Sequence, residues 1–315
     1  MATTKSVKAF NSFNPVTGEA VGTYAIHSAK AVAEIIDHAR HASSAWQKLG
    51  FSARKKTLLA WSNYIIKNID RIAALVSLET GKPLSDAKLE VSMAVSHIGW
   101  AARHAEDIMR TSHRAPGALM ANMSATVERS PLGVVGVIGP WNYPIFTPVG
   151  SIAYALAAGN TVVFKPSEYT PGVGVWLEES FNSVAPFADI LTTITGLAET
   201  GNALCISGVD KLSFTGSTRT AKLVAAACAT NMTPAVLECG GKDPVIIAAD
   251  ANVDRAVDAT MWSAMANAGQ SCIGAERVYV DEKVADAFIA KAVALAGSIH
   301  AGTPEDGNYG PATMP

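Results

Sequence analysis

From Gly133 onward, short apolar runs alternate with segments of helical periodicity, and this alternation leaves few possible folds. The runs predicted as strands are residues 134–138, 161–164, 190–194, 211–214, 235–237 and 245–247. Strands that are apolar along their whole length, with helices between them, are typical of a parallel sheet covered on both faces. The sequence therefore predicts an α/β fold, and such sheets bind ligands at the carboxyl ends of their strands.

The segment before Gly133 is predicted to be mostly helical and shows no obvious chemistry. Residues 12–24, rich in Asn, Pro, Gly and Thr, are interpreted as an irregular arm with turns. Ser28 can cap the first helix, and Gly81 with Pro83 ends the second. The predicted elements are helices over residues 28–49, 52–80 and 84–109 and a strand over residues 119–127.

Composition and charge exclude several classes of protein. Apolar residues make up 49% of the chain and charged residues 17%, so a large core is expected. A net charge of -2 provides no basic field for nucleic acid or an anionic membrane, and no metal site is predicted. The cysteines show no CxxC spacing, which fits a reducing compartment. Because residues 1–8 lack the apolar run of a signal peptide and no apolar stretch is long enough to span a membrane, we expect a cytoplasmic protein.

The main candidates for catalysis are Cys272, in the run Asn-Ala-Gly-Gln-Ser-Cys, and Glu238, which follows an apolar strand. A thiol can act as a nucleophile, and a carboxylate at a buried strand end is costly to ionise, which suits a general base. Cys272 is expected just beyond a helix over residues 251–268, whose carboxyl end does not favour a thiolate, so a base, backbone amides or a bound cofactor must activate it. The alternatives are a buried structural cysteine and a glutamate that caps the next turn.

Further candidates lie at other predicted strand ends. Asn142, between Trp141 and Tyr143, can donate to a developing oxyanion, although an Asx turn is the alternative. Lys165 and Glu168 follow the second strand, where a carboxylate can bind ribose hydroxyls; a solvated Lys–Glu pair is the alternative. The small residues after Phe214 let backbone amides approach a phosphate, but such turns are also common helix caps.

Taken together and in this order, these runs resemble the aldehyde dehydrogenase superfamily. The matching runs are residues 140–144, 165–168, 214–217, 238–242 and 267–272. The resemblance implies a Rossmann-like parallel sheet that binds NAD, with NADP possible, without the usual glycine fingerprint. It also implies a cofactor-binding domain with N-terminal helices over residues 1–239, an oligomerisation hairpin near residues 118–131, and the start of a second α/β catalytic domain, here truncated, over residues 240–315.

The resemblance also assigns roles position by position. Cys272 resembles the nucleophile, Glu238 resembles the base that activates water, and Asn142 with the Cys272 amide resembles the oxyanion hole. The implied cofactor contacts are Trp141, Lys165, Ser167, Glu168, Gly216, Ser217 and Gly240. The implied reaction oxidises a small-molecule aldehyde to a carboxylic acid through hydride transfer and hydrolysis of a thioester. Full-length members of the family are usually homodimers or homotetramers.

Three departures from the family pattern keep alternatives open. Cys239 replaces the usual leucine beside the base, and Arg219, where an acidic residue is common, could soften the preference for NAD. The chain ends before the Glu-x-Phe-Gly-Pro motif, so we expect exposed apolar surface from Ile273 onward and low activity. The alternatives are a catalytically weak dinucleotide-binding fragment, a thiol esterase, and acyl transfer to coenzyme A, against which Glu238 argues.

Overall fold

The computed structural model describes residues 8–303 and 310–314, so residues 1–7, 304–309 and 315 of the predicted domains lie outside the described part. The strands are β1 (Ala9–Phe13), β2 (Ala20–Ala25), β3 (Ser112–Arg114), β4 (Ala125–Val127), β5 (Val134–Ile138), β6 (Thr161–Lys165), β7 (Leu191–Thr193), β8 (Lys211–Gly216), β9 (Ala235–Cys239), β10 (Asp243–Ile247) and β11 (Ala275–Val280). The helices are α1 (Ala29–Lys48), α2 (Gly50–Lys67), α3 (Ile69–Thr80), α4 (Leu84–Met109), α5 (Phe146–Ala158), α6 (Pro171–Asn182), α7 (Ala198–Ile206), α8 (Thr218–Ala229), α9 (Val253–Met265) and α10 (Glu282–Ala296). Short 3-10 turns occupy Ala118–Met120 and Ala266–Gly269.

Strands β5 to β9 form the central sheet, which is parallel and five-stranded, in the order β7-β6-β5-β8-β9. Successive residues of β6 point to opposite faces, so that Val163 enters one core cluster and Phe164 enters the other. Helices therefore cover both faces, and the predicted Rossmann-like α/β fold is confirmed. The strand order reverses between β5 and β8, which places a crevice beyond the carboxyl ends of these two strands.

Strand β10 lies outside the central sheet. Residues 245–247 were predicted to join the other parallel strands, but β10 pairs with β11 in a separate two-stranded parallel sheet. Helices α9 and α10 pack on this small sheet around Ile247, Val257 and Phe288. The grouping was wrong because an apolar run predicts a strand but carries no information about its partner.

The N-terminal helices follow the prediction with one break. Helix α1 begins after Ser28, whose hydroxyl accepts a backbone N–H of the first turn at 3.3 Å, and α4 has the predicted bounds. The single helix predicted over residues 52–80 is two helices, because Asn68 leaves helical geometry with φ −112° and ψ 20°. Its side chain donates to the Tyr64 carbonyl at 2.8 Å, a bond that competes with the helix. Among the described residues, no helix combines the length and apolarity that a membrane crossing requires.

Two other predictions for this part of the chain are wrong. Residues 12–24, expected to be irregular, contribute to an antiparallel ribbon in which β1 pairs with β2. The strand expected over residues 119–127 is confined to β4, which pairs with β3, and a 3-10 turn precedes it. Leu119 is 99% exposed, so its apolar character does not reflect a buried strand.

Glu79 is a buried carboxylate that joins two helices. It lies in the last turn of α3 with 0% exposure, and its oxygens accept the Gly172 and Val173 N–H groups, each at 3.0 Å, at the start of α6. Burial raises the pKa of Glu79 to about 7, although the two backbone hydrogen bonds oppose the rise. The protonated form is therefore favoured in the folded chain more strongly than in the unfolded chain.

The free energy of unfolding should depend on this group. Between the ordinary pKa of 4.5 and the folded value of about 7, the folded chain binds more protons at Glu79 than the unfolded chain does. Stability from this group is therefore greatest at low pH and falls as the pH rises through that window, by ~3 kcal/mol in total. Urea unfolding across the window should show a shallower decline for Glu79→Gln than for the parent chain. Glu34→Gln, an exposed change, serves as the control, and equal slopes for all three chains would contradict the expectation.

Candidate active site

The turn before Cys272 is tightly bent. Helix α9 ends at Met265, three residues short of the predicted end, and the chain then enters the left-handed region at Asn267 (φ 55°), Ala268 (φ 56°) and Gly269 (φ 72°). A left-handed alanine costs roughly 1–2 kcal/mol, and such strain is concentrated at functional sites. The bend places the half-buried Cys272 on an irregular loop rather than on the helix.

Asn142 and the Cys272 turn are joined by hydrogen bonds. The Asn142 Nδ2 donates to the Gln270 carbonyl at 2.8 Å, and the buried Asn267 Nδ2 donates to the Asn142 carbonyl at 3.0 Å. The Tyr143 hydroxyl interacts with the side chain of Ser271, the residue before Cys272. The structure therefore brings together two candidates that lie far apart in sequence. A side-chain amide has two N–H hydrogens, so one remains for an oxyanion.

A buried ion pair that was not predicted from the sequence lies beneath Asn142. Lys82 is 3% exposed and Glu90 is 1% exposed, and the Lys82 Nζ donates to Glu90 Oε2 and to the Asn142 carbonyl, both at 2.7 Å. The other Glu90 oxygen accepts the backbone N–H groups of Ile145 at 2.8 Å and Phe146 at 3.2 Å. A signal was present, since Glu90 interrupts the apolar stripe of α4.

Glu238 lies on β9, opposite Thr215 of β8, at the same sheet edge as the other candidates. The expectation that this strand end is buried is wrong for the described residues, because Ala235 to Glu238 are all exposed. The neighbouring Cys239 is half-buried and packs against the core cluster that contains Phe214. Cys239 thus occupies a packing position, as the replacement of a leucine suggests.

The other two cysteines are unsuited to nucleophilic chemistry. Cys205 and Cys228 are buried on α7 and α8. Burial raises the pKa of the Cys205 thiol to about 12 and also raises the pKa of Cys228. A thiol held in the protonated form is a poor nucleophile.

The residues after β6 form a second part of the crevice. Lys165 is 4% exposed, and burial lowers its pKa, while the nearby Glu168 opposes that change. The Lys165 Nζ lies 3.9 Å from Glu168 Oε2 and donates to the Pro166 carbonyl at 3.0 Å. Ser167 is buried and its hydroxyl accepts the Tyr169 N–H at 3.3 Å. An exposed carboxylate beside a buried ammonium group can receive a pair of sugar hydroxyls.

An anion can come close to the backbone at the end of β8. At Gly216, an added Cβ would meet the Phe214 ring at 2.7 Å, so a larger residue does not fit. Ser217 caps α8 by accepting the Thr220 N–H at 3.2 Å, and the first turn of this helix is exposed. The free N–H groups of such a turn bind phosphates. This edge therefore fits a dinucleotide, and Gly240 adds open space beyond β9.

Apolar side chains are exposed from Ile273 onward, as expected. The exposed fraction is 72% for Ile273, 56% for Ile289 and 66% for Val293. Earlier in the chain, Ile246 and Trp262 are also exposed. Trp141, beside Asn142, is only half-buried. The face of the crevice that carries Cys272 is therefore open in this chain.

Comparison with known proteins identifies the family of this chain. The model of the aldehyde dehydrogenase family matches residues 2–314. The chain is 33% identical over 308 residues to a D-glyceraldehyde dehydrogenase (NADP(+)) of Thermoplasma acidophilum, covering 97% of the chain and 62% of the relative. It is 36% identical over 297 residues to the succinate-semialdehyde dehydrogenase [NADP(+)] GabD of Escherichia coli, covering 94% and 61%.

Solved structures show the same fold. An aldehyde dehydrogenase of Bacillus cereus, solved as an NAD+ complex, superposes with a TM-score of 0.91 at 26% identity, covering 98% of the chain and 63% of that structure. An NADP dependent enzyme of E. coli gives a TM-score of 0.91 at 35% identity, covering 95% and 62%. The chain thus spans about 62% of the length of these proteins. Since the family model matches almost the whole chain and the chain superposes with solved members, the chain belongs to the aldehyde dehydrogenase family.

Proposed function

We propose that the protein oxidises an aldehyde to a carboxylic acid with NAD, or with NADP, through a covalent intermediate on Cys272. The observation that carries this proposal is the hydrogen bond from Asn142 Nδ2 to the Gln270 carbonyl, 2.8 Å long. It holds an amide donor against the loop that presents a half-buried thiol. A nucleophile beside an oxyanion donor is the arrangement that acyl chemistry at a carbonyl carbon requires.

Each residue then has a defined task. The Cys272 thiolate attacks the aldehyde carbon, a C–S bond forms, and the oxygen takes negative charge. Asn142 Nδ2 and the Cys272 backbone N–H stabilise that oxyanion. When bound at this site, NAD would supply the acceptor for the hydride on the former aldehyde carbon, and loss of that hydride would leave a thioester on the Cys272 sulfur. Glu238 takes a proton from water, the hydroxide attacks the thioester carbon, and the C–S bond breaks to release the acid and the Cys272 thiolate.

The proposed cofactor contacts lie along the edge of the sheet formed by the carboxyl ends of its strands. Lys165 and Glu168 receive the adenosine ribose, Ser167 lines the same turn, and the α8 N-terminus at Gly216 and Ser217 receives the phosphates. Trp141 and Gly240 lie on the side where the nicotinamide enters. Two observations support this assignment: a side chain larger than that of glycine would meet the Phe214 ring at residue 216, and the first turn of α8 is exposed.

Glu168 favours NAD, because a carboxylate repels the 2′-phosphate of NADP, while the exposed Arg219 adds positive charge near the phosphates. Both relatives named above carry NADP in their names, whereas the Bacillus cereus enzyme was solved with NAD+, so we propose NAD with NADP as the alternative cofactor. Glu168→Gln should raise the ratio of kcat/KM for NADP over NAD by about tenfold, which corresponds to ~1.4 kcal/mol. Steady-state kinetics with both cofactors measure this ratio. Glu179→Gln, an exposed change on α6, should leave it unaltered, and an unchanged ratio in Glu168→Gln would refute the assignment.

The domain and assembly assignments belong to the same proposal. Residues 1–239 form the cofactor-binding part and residues 240–315 begin the catalytic part, since β10 and β11 form a sheet of their own. The β3–β4 hairpin exposes apolar side chains, including 99% of Leu119 and 55% of Met123, and serves as an oligomer contact. The protein acts in the cytoplasm on a small-molecule aldehyde.

The proposal is tested by aldehyde-dependent NADH formation with short semialdehydes, hydroxyaldehydes and aromatic aldehydes, together with detection of the acid product. Acid formed in step with NADH supports the proposal. Nucleotide binding without acid production identifies a dinucleotide-binding fragment instead. Ester cleavage that needs no nucleotide, with no oxidation of any aldehyde, identifies a thiol esterase.

A further inference from the structure

Lys82 and Glu90 form a buried connection between the helical N-terminal part and the loop that carries Asn142. Lys82 lies in the short link between α3 and α4, and Glu90 lies on α4 two turns later. A buried pair of this kind costs desolvation free energy, and replacing it with apolar residues is often neutral or stabilising. Stability alone is therefore a weak reason for a chain to keep it.

The contacts of the pair converge on one loop. Lys82 Nζ donates to the Asn142 carbonyl at 2.7 Å and lies 4.6 Å from the centre of the Tyr143 ring. Glu90 Oε1 accepts the N–H groups of Ile145 and Phe146, the residues that begin α5. The pair thus holds the backbone on both sides of the bend, before and after residue 144. No other ion pair in residues 8–303 and 310–314 has both side chains below 10% exposed.

The same loop is bonded to the nucleophile turn. The Asn142 carbonyl accepts a second hydrogen bond from Asn267 Nδ2, and the Asn142 amide donates to the Gln270 carbonyl. Displacement of the Asn142 backbone would therefore move its amide relative to Cys272. Oxyanion stabilisation is sensitive to such displacement, because its donors must be preorganised.

We infer that Lys82 and Glu90 are positioning residues, which fix the Asn142 amide relative to Cys272 and so support oxyanion stabilisation without touching the substrate. This inference rests on the proposed function, in which Asn142 is an oxyanion donor. It predicts that loss of the pair slows reactions at Cys272 that pass through an oxyanion. Reactions of the same thiol that form no oxyanion should be unaffected.

Two reagents separate these cases. With p-nitrophenyl acetate, the Cys272 thiolate attacks the ester carbonyl, an oxyanion forms, and p-nitrophenolate leaves with its electron pair as the thioester is made. With iodoacetamide, the thiolate displaces iodide at a saturated carbon and no oxyanion forms. Mass spectrometry of the peptide that contains Cys272 gives both rates and distinguishes this thiol from Cys239.

The main variant is Lys82→Met/Glu90→Gln, which removes both charges together and keeps an acceptor oxygen for Ile145 and Phe146. Acylation of Cys272 should slow by about tenfold or more, while alkylation changes by less than about twofold. The control is Lys88→Met/Asp70→Asn, which removes an exposed ion pair, 2.7 Å long, between α4 and α3. Both rates should be unchanged in the control.

Asn142→Ala distinguishes failure of the inference from failure of the proposed function. If Asn142→Ala slows acylation and Lys82→Met/Glu90→Gln does not, the positioning role is overturned and the proposed function stands. If Asn142→Ala leaves acylation unchanged, the oxyanion assignment fails and the positioning role fails with it. Equal slowing of acylation and alkylation in the double variant indicates general distortion and also overturns the inference. If the double variant does not fold, Glu90→Gln replaces it, and unaltered acylation in that chain is the overturning result.

Discussion

Replacement of Cys272 by alanine is expected to lower aldehyde-dependent NADH formation by roughly 10⁴-fold or more, because loss of a covalent nucleophile removes the route through the thioester. The sulfur is half-buried on the bent turn that also contacts Asn142, and alanine fills the site without adding bulk. The measurement compares initial rates of NADH formation for the parent chain and Cys272→Ala with the same aldehyde. Cofactor binding, followed by fluorescence titration, should be retained in the variant.

Cys239→Ala is the matched control for that prediction. Both thiols are half-buried, but Cys239 is the last residue of β9 and packs against the core cluster that contains Phe214. Its loss should leave the rate within about threefold of the parent, since only packing is altered. If Cys272→Ala kept the parent rate, the nucleophile would have to be another group. If Cys239→Ala removed activity instead, the two assignments would be exchanged.

Replacement of Phe181 by alanine is expected to lower the free energy of unfolding by ~4 kcal/mol, the cost of a large cavity in a packed core. Phe181 lies on α6 with 0% exposure. Its ring meets Trp61 edge-on at 5.3 Å and Trp46 edge-on at 6.4 Å between ring centres. Its removal deprives both indoles of a packing partner and weakens the packing of α6 against α1 and α2.

Urea unfolding followed by tryptophan fluorescence measures this loss, since the two neighbouring indoles report on the same core. Phe13→Ala is the matched control, because it makes the same substitution at a site on β1 where the side chain is 54% exposed. It should lower the free energy of unfolding by less than ~1 kcal/mol. Equal losses for the two variants would show that the α6 core contributes no more to stability than the exposed surface does.

Local sequence predicted most of the elements that depend mainly on their own residues. The bounds of α4, the Ser28 cap of α1 and the five strands of the central sheet were predicted, because helical spacing, capping hydroxyls and apolar runs act within a few residues. The break at Asn68 was missed, since one asparagine in a long periodic segment is compatible with either a continuous or a broken helix.

Contacts between distant parts of the chain could not be predicted as well from the sequence. The pairing of β10 with β11 and the exposure of Glu238 depend on which other elements lie nearby, and no local pattern carries that information. The Lys82–Glu90 pair had a local signal, a charge on an apolar helix face, but its target at Asn142 lies on a loop far along the chain.

The sequence by itself determined the fold class and the residue types at the crevice, because short-range periodicity sets the strands and helices and because parallel strands bring their carboxyl ends to one edge. Only the tertiary structure decided how these residues are held. The left-handed turn at Asn267, the bond from Asn142 to Gln270 and the buried pair beneath them exist only once the helical and sheet parts are packed together. Their contacts with Asn142 join groups far apart in sequence, since Lys82, Asn267 and Gln270 all bond to this one residue. The free energy that maintains these contacts comes from burial and hydrogen bonding in the assembled fold.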